Sequence, residues 1–358
     1  MRAAIIGCGL IAQNHAQAIQ ALGHTIAVAI DNNPGNAEQF AQNFQSTKHS
    51  HKFSDALKDD IQVVHICTPP ALHYQMIKEA LLASKHVICE KPMCLETNQA
   101  KELLQLAVQK NLIHAVNFNV RFYDACQLAR NIIQSAAFGN PLLIHGSYLQ
   151  EFHILPNDYS WRYQPDLAGP MRATTEIGSH WIDLARFLTG LEITEVSANF
   201  VNFTPQRYIK DGTMFAESIM DAKKMNVNSE DAAVISLRFS NHAIGSIFLS
   251  EVSHGRSNAL FIEVTGQNQS VWWHAENPNQ LHTGLKAQGT KTETYAFSGA
   301  YPFTFSSFFH EVYQQIESPS PEEKKSYATF YDGYVNTAIC AAIYESANQN
   351  AAWVKVTT

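Results

Sequence analysis

The first 120 residues alternate between short apolar runs and longer stretches whose hydrophobic residues recur at helical spacing. Five apolar runs have the length of buried strands, at 3–6, 24–31, 61–68, 86–89 and 114–118. The spacing predicts helices near 11–22, 36–44, 54–58, 73–84 and 96–110. Strands that alternate with such helices pair in parallel through right-handed crossovers. This part of the chain is therefore predicted to be a doubly wound α/β domain, a Rossmann fold with a parallel sheet, ending near residue 120.

The pattern changes after residue 120, where strand-like segments follow one another without helices between them. Alternation predicts strands at 141–152, 194–203, 232–239, 243–251, 260–266, 270–274 and 353–356, and helices at 124–136, 173–188 and 330–348. Residues 206–230 have no clear period and are expected to be an excursion that borders the ligand cleft. Consecutive strands favour antiparallel pairing. Residues 121–358 are therefore predicted to be an α+β domain with a large, open, mainly antiparallel sheet.

The turn after the first strand has the composition of a phosphate-binding loop. Gly7 permits a tight strand-to-helix turn, Gly9 lets a pyrophosphate approach the backbone, and Ala12 lets the helix pack on the strand. Leu10 and Ile11 open the helix, whose first N–H groups point towards the phosphates. The order of strand, turn and helix indicates a dinucleotide site. The alternative is a tight turn of some other α/β protein.

A carboxylate ends the second predicted strand. Asp31 follows Ala12 by nineteen residues, the spacing at which an acid reaches the adenosine ribose of a bound dinucleotide. It accepts hydrogen bonds from the ribose hydroxyls and repels a 2′-phosphate. Asn32 and Asn33 follow it, without an Arg or Lys to hold that phosphate. The sequence therefore predicts NAD as the cofactor and disfavours NADP.

Two further strand ends carry residues suited to a ligand site. Thr68, Pro69 and Pro70 close the third apolar run and cannot continue a hydrogen-bonded ladder. Glu90 and Lys91 follow the next run, at the carboxyl edge where open α/β sheets bind ligands. A lysine there can bond a substrate hydroxyl or the nicotinamide ribose, and its charge favours an alkoxide. An exposed salt bridge at the strand end is the alternative interpretation.

Three titratable residues share one stripe of the helix predicted at 173–188. Glu176, His180 and Asp183 fall at positions i, i+4 and i+7, beside an apolar stripe. Histidine can both take and return a proton near neutrality, although a single helical histidine is more often structural. The flanking carboxylates would fix its tautomer and support the imidazolium. His180 is therefore the candidate general base, with Glu176 or Asp183 as its partner.

Three arginines are candidates for a polar substrate pocket. Arg121 follows the last strand of the first domain, and Arg162 lies beside Trp161 in the long loop that ends near residue 170. Arg172, just before the helix of His180, is the weakest candidate. Each is also consistent with a surface charge on a packed stem.

Composition and charge narrow the classes of function. The 358 residues are 46% hydrophobic and carry a net charge of −7 without a basic run, which excludes a nucleic-acid partner. No apolar stretch approaches the roughly twenty residues of a membrane span, and no signal peptide is expected before the first strand. The six cysteines lie in apolar patterns, as expected for a reducing, cytoplasmic compartment. No metal site is predicted, because Cys89 and Cys94 lack a second ligand pair and His49 and His51 lie in a solvated polar connector.

Together these segments resemble the glucose-fructose oxidoreductase and inositol dehydrogenase family, known as Gfo/Idh/MocA. The resemblance covers almost the whole chain and rests on six motifs: Gly7-Cys-Gly9-Leu-Ile-Ala12, Thr68-Pro-Pro70 with His73, Glu90-Lys-Pro92, Asn119-Val-Arg121, Gly178-Ser-His180-Trp-Ile-Asp183 and Trp353-Val-Lys-Val356. It implies an N-terminal nucleotide-binding domain and a C-terminal domain whose open sheet forms a homodimer or homotetramer interface. It also implies hydride transfer at a secondary hydroxyl of a sugar or cyclitol, with Lys91 and His180 at the reacting carbon.

The resemblance adds residues to both predicted sites. Beside the glycine turn, Asp31 and Asn32, it implies a cofactor site that includes Thr68, Pro69, Pro70, His73, Glu90, Lys91, Asn119 and Arg162. It implies a substrate site made of Lys91, Arg121, Arg162, Arg172 and His180. The chain departs from the family at Glu176, where Asp is usual, and at Asp124, where Pro is common. The extra methylene of Glu176 displaces its carboxylate by about one ångström, whereas Asp124 is a good helix cap.

The residues favour an enzyme, although other classes of function remain open. The leading hypothesis is an NAD-dependent dehydrogenase of a sugar, cyclitol or related polyol, an oxidoreductase that acts on CH–OH groups. His180 accepts the hydroxyl proton and Lys91 stabilises the developing alkoxide. The second hypothesis is an NAD-dependent glycoside hydrolase or eliminase, in which the hydride leaves and returns. The third is a non-catalytic, dinucleotide-binding regulator, which the presence of both Lys91 and His180 disfavours.

Overall fold

The structure, a computed structural model, describes residues 1–158, 161–295, 299–319 and 325–358. Its chain divides into two compact units. The first unit comprises Met1–Phe122 and Gly299–Thr337, and the second comprises Tyr123–Ser298 and Ala338–Thr358. The predicted division at residue 120 assigned 299–337 to the second domain, whereas the structure packs this segment with the first.

The first unit is built on a parallel sheet of six strands. They are β1 (Arg2–Ile6), β2 (Thr25–Ile30), β3 (His49–Ser50), β4 (Val63–Ile66), β5 (His86–Cys89) and β6 (His114–Val116). The connecting helices are α1 (Leu10–Ala21), α2 (Pro34–Asn43), α3 (His73–Leu82) and α4 (Thr97–Gln109), with 3₁₀ turns at Phe53–Leu57, Pro70–Leu72 and Asn119–Phe122. The strand order is β3-β2-β1-β4-β5-β6, all parallel. The predicted Rossmann domain is confirmed, and the order reverses between β1 and β4, where such sheets bind ligands.

The segment predicted to be a polar connector contains the third strand. His49 and Ser50 pair in parallel with Ala29 and Ile30 of β2. Because this edge strand is only two residues long and half exposed, it has no apolar alternation to detect. Backbone hydrogen bonds, such as Asp31 N–H to the carbonyl of Ser50 at 3.2 Å, hold it in register, and the Ser50 hydroxyl also donates to the carboxylate of Asp55.

The second unit is dominated by a sheet of nine strands. Its strands and those of a smaller sheet are β7 (Pro141–Leu149), β8 (Asn157–Asp158), β9 (Ile193–Val201), β10 (Gln206–Lys210), β11 (Thr213–Phe215), β12 (Lys223–Asn226), β13 (Ala232–Phe239), β14 (Ile244–Ser250), β15 (Ala259–Gly266), β16 (Gln269–His274), β17 (Gln280–Leu285), β18 (Gly289–Thr294) and β19 (Val354–Lys355). The order of the large sheet is β18-β17-β16-β15-β7-β14-β13-β9-β19, and its described neighbours are antiparallel except β7 and β14. The predicted mainly antiparallel sheet is confirmed.

The strands of this unit that the sequence pattern did not predict are mostly polar. The 206–230 excursion forms β10, β11 and β12, which join β8 in a four-strand antiparallel sheet. Strands β17 and β18, which were not predicted, extend the large sheet beyond β16, the strand predicted at 270–274. Side chains on β10, β11, β12, β17 and β18 are mostly polar and partly exposed, so the contrast between a buried and an exposed face is weak. The helices that lie wholly within this unit are α5 (Asp124–Ile133), α6 (Pro165–Ala168) and α7 (Ser179–Thr189).

A helix that the sequence pattern did not predict completes the first unit. It is α8 (Tyr301–Glu317), and α9 (Phe330–Asn348) follows it. The sequence of α8 is rich in Phe, Tyr, Ser and Thr, which have modest helix propensity. Phe305, Phe308 and Phe309 nevertheless lie fully buried in one core cluster with Ala12 and Ile19 of α1. Burial of these aromatic rings is what assigns 299–337 to the first unit.

The cysteines and the helices agree with the composition. All six cysteines are free thiols, and Cys89, Cys94, Cys126 and Cys340 are buried. Within the described ranges no helix combines the length and the apolar character needed to cross a membrane.

A buried histidine makes the stability of the first unit depend on pH. Burial, with Lys325 nearby, lowers the pKa of His114 to about 4, and Nδ1 of His114 accepts a hydrogen bond from the N–H of Phe330 at 3.0 Å. The unfolded chain binds a proton at this histidine below about pH 6.5. Stability should therefore fall as the pH drops from about 6.5 to 4, by up to about 1.4 kcal/mol per pH unit from this group.

Thermal melts at pH 7 and pH 5 test this expectation. His114→Asn keeps an acceptor for the N–H of Phe330 but cannot take up a proton, so it should lose less stability than the wild type over this range. Equal losses in both proteins would contradict the assignment.

Candidate active site

Several predicted site residues lie at the carboxyl edge of the parallel sheet. The N–H of Glu90 donates to the carbonyl of Ile66 at 2.9 Å, and the N–H of Asn117 donates to the carbonyl of Cys89 at 2.8 Å. These bonds extend the ladder by one residue beyond β5 and β6. The edge therefore presents Glu90 and Lys91 next to the loop after β4 and the glycine turn after β1.

The glycine turn leaves open space at the start of α1. Gly7 has a φ of +86°, and a Cβ there would lie 2.7 Å from the carbonyl oxygen of Cys67. Apart from its two chain neighbours, no atom of the described residues lies within 4 Å of the Cβ position of Gly9, which is the N-cap of α1 without a side-chain cap. Leu10 is 85% exposed, whereas Ala12 is fully buried against the core. Uncapped N–H groups beside an open cradle fit the pyrophosphate of a dinucleotide.

The carboxylate of Asp31 is held next to this turn. Its Oδ2 accepts a hydrogen bond from the N–H of Cys8 at 2.9 Å, and its Oδ1 accepts one from the N–H of Asn33 at 2.9 Å. An ionised carboxylate has about four acceptor positions, so each oxygen keeps one for a ribose hydroxyl. Asn32 is exposed beside it. The arrangement fits the adenosine ribose of NAD.

His73 joins two loops of the edge. Its Nε2 lies 2.7 Å from the carbonyl oxygen of Thr68, and its Nδ1 lies 2.9 Å from that of Pro92. The ring is fully buried, and burial lowers its pKa. His73 therefore fixes the Thr68-Pro69-Pro70 loop relative to the segment after β5, a structural role that differs from the implied contact with the cofactor.

The carboxylate of Glu90 is buried and is the shared hydrogen-bond partner of three neighbouring groups. Its Oε1 lies 2.9 Å from Nε2 of His15 and accepts a hydrogen bond from the amide of Asn117 at 2.5 Å. Its Oε2 accepts a hydrogen bond from the N–H of Lys91 at 3.3 Å. Burial raises the pKa of Glu90, but the bonds from His15 and Asn117 and the charge of Lys91 outweigh it, so the pKa lies below its ordinary value. The exposed salt bridge that was the alternative for Glu90 does not occur.

Asn119 and Arg121 contact the returning segment of the first unit. Both side chains are buried. The amide of Asn119 donates to Oγ1 of Thr304 at 2.7 Å, and the guanidinium of Arg121 pairs with Asp332 at 3.0 Å. These bonds attach the 3₁₀ turn after β6 to α8 and α9. The implied ligand contacts of both residues stay predictions.

In the second unit, the helical segment of His180 begins irregularly. Residues Thr174–Gly178 form a π-helical turn, and α7 continues from it as a regular helix. The predicted spacing of 100° per residue therefore applies only from Ser179 onward. Trp181 is fully buried and donates its indole N–H to the carbonyl of Phe261 at 2.9 Å, which fixes α7 on the large sheet.

His180 and Asp183 both lie on the regular part of α7 and are buried. Glu176 lies in the π-helical turn and pairs with Arg162, whose Nε is 2.9 Å from Oε1 and 3.0 Å from Oε2. The guanidinium of Arg162 also lies over the ring of Trp161, 4.8 Å from its centroid. The structure thus brings together two predicted site residues, Glu176 and Arg162, as an ion pair.

A buried ion cluster supports this region. Arg172 is fully buried and pairs with Asp231 and, through Nε at 2.9 Å, with Glu251. Arg207 pairs with Asp231 at 3.0 Å and donates to the carbonyl of His153. Because its guanidinium pairs with two buried carboxylates, Arg172 stabilises the packing of this region. This structural role differs from the predicted contact of Arg172 with the substrate.

Three side chains near the cluster offer metal-type ligands. One atom each from His153, Glu176 and Glu251 lies within 4.8 Å of the others. Arg162 pairs with Glu176, and Arg172 is shared between Glu251 and Asp231. Burial and the adjacent Glu176 raise the pKa of Glu251 despite Arg172, and burial lowers the pKa of His153 to about 4. A guanidinium thus lies against each of the two carboxylates of this group.

Sequence reasoning missed the cluster and the partner of Glu90. Asp231 precedes β13 and Glu251 follows β14, and these strands are antiparallel neighbours. His153 follows β7, which is parallel to β14. A polar residue just beyond the same end of three neighbouring strands is a usable signal, but it requires the strand order. His15 falls at an apolar position of the helical pattern at 11–22, and the only sequence signal for its role is a polar residue within that apolar stripe.

The sequence and the fold can be compared with known proteins. Residues 1–118 match the model of the Gfo/Idh/MocA oxidoreductase family, NAD-binding Rossmann fold, and residues 126–272 match that of the family's C-terminal domain. Levoglucosan dehydrogenase of Pseudarthrobacter phenanthrenivorans is 30% identical over 356 residues, which cover 92% of this chain and 89% of that protein. The solved complex of levoglucosan dehydrogenase with NADH and levoglucosan has a TM-score of 0.89 at 28% identity, covering 100% of this chain and 99% of that one.

A more distant structure shares the fold alone. An inositol dehydrogenase homologue from Azotobacter vinelandii, complexed with NAD⁺, has a TM-score of 0.82 at 20% identity. It covers 99% of this chain and 97% of that chain.

The matched models and the geometry define the class of this protein as an NAD-binding oxidoreductase. The chain belongs to the Gfo/Idh/MocA family. The predicted family, enzyme class and cofactor are therefore confirmed.

The glycine turn allows cofactor binding to be separated from folding. Gly9→Ala adds a methyl group that meets no atom of the described residues within 4 Å other than those of its chain neighbours. It should fold like the wild type and bind NADH at least about tenfold more weakly, because the methyl group occupies the pyrophosphate position. Gly7→Ala should lower the melting temperature, because its Cβ meets the backbone of Cys67 at a positive φ. Thermal melts and NADH fluorescence titrations measure both effects, and wild-type NADH affinity in Gly9→Ala would disprove the placement.

Proposed function

We propose that this protein is an NAD-dependent dehydrogenase that oxidises a secondary hydroxyl of a sugar, cyclitol or related polyol. The observation that carries the proposal is the placement of Glu90 and Lys91 at the carboxyl edge, beside a glycine turn that fits a dinucleotide. The similarity to levoglucosan dehydrogenase over nearly the full length of both chains supports a sugar-like substrate. Levoglucosan is accordingly the first compound to test.

The cofactor site of the proposed enzyme combines residues of the glycine turn with Asp31. The N–H groups at the start of α1 hold the pyrophosphate, and Asp31 holds the adenosine ribose. Asp31 also repels a 2′-phosphate, which selects NAD over NADP. When bound, NAD accepts the hydride from the substrate C–H bond.

Lys91 and His180 carry the proton and charge chemistry of the proposed reaction. The ammonium of Lys91 donates a hydrogen bond to the substrate oxygen and stabilises the negative charge that develops there. The imidazole of His180 accepts the hydroxyl proton as general base. We propose Asp183 as the partner of His180, because the carboxylate of Glu176 is paired with Arg162. Arg162 then contacts a ligand either while it is paired with Glu176 or after that ion pair has separated.

Kinetics of matched variants test these roles. His180→Ala and Lys91→Ala should each lower kcat by about a hundredfold or more while NADH affinity stays near that of the wild type. Lys110→Ala removes an exposed lysine at the end of α4 and should leave kcat unchanged. A panel of levoglucosan, free sugars, inositols and sugar acids with NAD and NADP supplies the substrate. Wild-type turnover in both Lys91→Ala and His180→Ala would overturn the assigned roles.

We further propose that a second copy of the chain covers the outer face of the nine-strand sheet, giving a homodimer or homotetramer. Apolar residues pair across neighbouring strands on this face. Val234 of β13 lies opposite Phe248 of β14, and Ile244 of β14 lies opposite Leu143 of β7. Phe248 and Ile244 are 54% and 59% exposed. An apolar patch that continues across three strands is typical of an interface between subunits.

Light scattering coupled to size exclusion tests the assembly. The wild type should have a mass at least twice the 39.9 kDa of one chain. The double variant Ile244→Glu/Phe248→Glu should shift towards one chain, because charges on this face oppose its burial. Val108→Glu changes an exposed apolar residue of α4 and should not alter the mass. A monomeric wild type, or an unchanged mass in the double variant, would refute the interface.

A further inference from the structure

A chain of buried hydrogen bonds runs from Glu90 into the core of the first unit. Nε2 of His15 lies 2.9 Å from Oε1 of Glu90, and Nδ1 of His15 lies 2.9 Å from Nδ1 of His65. Nε2 of His65 lies 2.9 Å from the hydroxyl oxygen of Tyr313. The two histidines are fully buried, and Tyr313 is nearly so. Four side chains from α1, β4, α8 and the end of β5 are thus linked in series.

The chemistry of its two ends fixes the direction of this chain. Burial raises the pKa of Tyr313 and lowers the pKa of His65, so both groups are neutral near pH 7. Among the described residues, the Tyr313 hydroxyl has its one hydrogen bond with His65, and it therefore donates to Nε2 of that ring. A neutral histidine has one donor and one acceptor nitrogen. His65 must then donate from Nδ1 to His15, and His15 must donate from Nε2 to Glu90.

The surroundings of the rings preserve this arrangement. The His15 ring packs against Phe305 and Phe309, with centroids 5.7 and 4.8 Å away, and the His65 ring lies 4.9 Å from Phe309. Apolar walls disfavour a charged imidazolium and any unpaired polar atom. One distribution of protons satisfies every ring nitrogen, and every alternative leaves a buried donor or acceptor without a partner. The free-energy cost of such an unpaired group holds the hydrogen bonds of this series in one direction.

We propose that His15, His65 and Tyr313 are positioning residues, whose directed hydrogen bonds hold the Glu90 carboxylate and, through it, the backbone of Lys91 in the orientation that hydride transfer requires. Glu90 is the connection, because its other oxygen accepts the N–H of Lys91. Part of this inference rests on the proposed function, since Lys91 must act in the reaction. Helix α8, which belongs to the first unit although it lies far along the sequence from residues 1–122, thereby supports the carboxyl edge of the parallel sheet from within the core.

Substitutions at His15 test the role of the hydrogen-bond chain. The amide of His15→Gln can donate to Glu90 and accept from His65 but cannot carry a charge, whereas His15→Leu can do neither. His15→Gln should keep kcat near the wild-type value, and His15→Leu should lower it by about tenfold or more, with NADH affinity unchanged in both. A full wild-type kcat in His15→Leu, or an equal loss in the two variants, would overturn the proposal.

Removing the terminal hydroxyl tests the chain at its far end. Tyr313→Phe deletes the donor that sets the tautomer of His65 and should lower kcat several-fold. Tyr327→Phe makes the same change at another buried tyrosine of the same core cluster, outside the chain, and should have no effect. Equal kcat values in the two tyrosine variants would count against the directed chain.

Nitrogen-15 NMR of the ring nitrogens tests the direction independently of catalysis. Spectra of His15→Gln and of a His65→Gln variant assign the signals. His65 should be protonated at Nδ1 and His15 at Nε2, and His65 should stay neutral between pH 5.5 and 8.5 because burial lowers its pKa. The reverse tautomers, or titration of His65 in this range, would refute the hydrogen-bond chain even in an active enzyme. If no polyol is oxidised while the tautomers are as stated, the proposed function fails and the directed chain stands.

Discussion

The stabilisation of the buried Glu90 carboxylate is the interaction on which the first unit depends. A carboxylate in a protein core is strongly unfavourable unless hydrogen bonds replace its hydration. Here the compensation comes from three directions: His15 of α1, Asn117 after β6 and the N–H of Lys91. Each donor ties a different part of the unit to the same oxygen atoms. The carboxyl edge is therefore fixed by one ionised group rather than by loop packing alone.

The same requirement explains why α8 belongs to the first unit. His15 donates to Glu90 only if its other nitrogen is satisfied, which requires His65 and then Tyr313 of α8. The apolar neighbours of these rings include Phe305 and Phe309, also from α8. Helix α8, which is distant in sequence from Glu90, thus supplies both the terminal hydroxyl of the hydrogen-bond chain and the apolar side chains that surround it. In the second unit, Arg172 and Arg207 compensate buried carboxylates in a comparable way.

The sequence predicted the features that depend on local pattern. Buried parallel strands are continuous apolar runs, and the glycine turn follows from the steric needs of positions 7 and 9, so the Rossmann sheet and the dinucleotide site could be derived. Strand β3 and strands β10 to β12 were missed because their side chains are polar and their pairing is held by backbone bonds. Helix α8 was missed because burial overrides its modest propensity.

Site residues that act through tertiary contacts could not be derived in the same way. Nothing in the local sequence joins His15 to Glu90, which are far apart in the chain and meet only because α1 packs on β1 and β2 and against α8. The ion pair of Arg162 with Glu176 likewise depends on a π-helical turn that periodicity cannot reveal. Candidate residues were thus recognisable by type and position, whereas their partners required the fold.

The most direct test of the central claim is to follow the hydride. A polyol substrate deuterated at its carbon-bound positions is incubated with NAD and the enzyme, and the nicotinamide product is analysed by mass spectrometry. Net oxidation at a CH–OH group predicts one deuterium in the reduced cofactor, formed in step with oxidised product. Substrate turnover without net formation of labelled NADH would contradict the account and indicate that the hydride returns to the substrate.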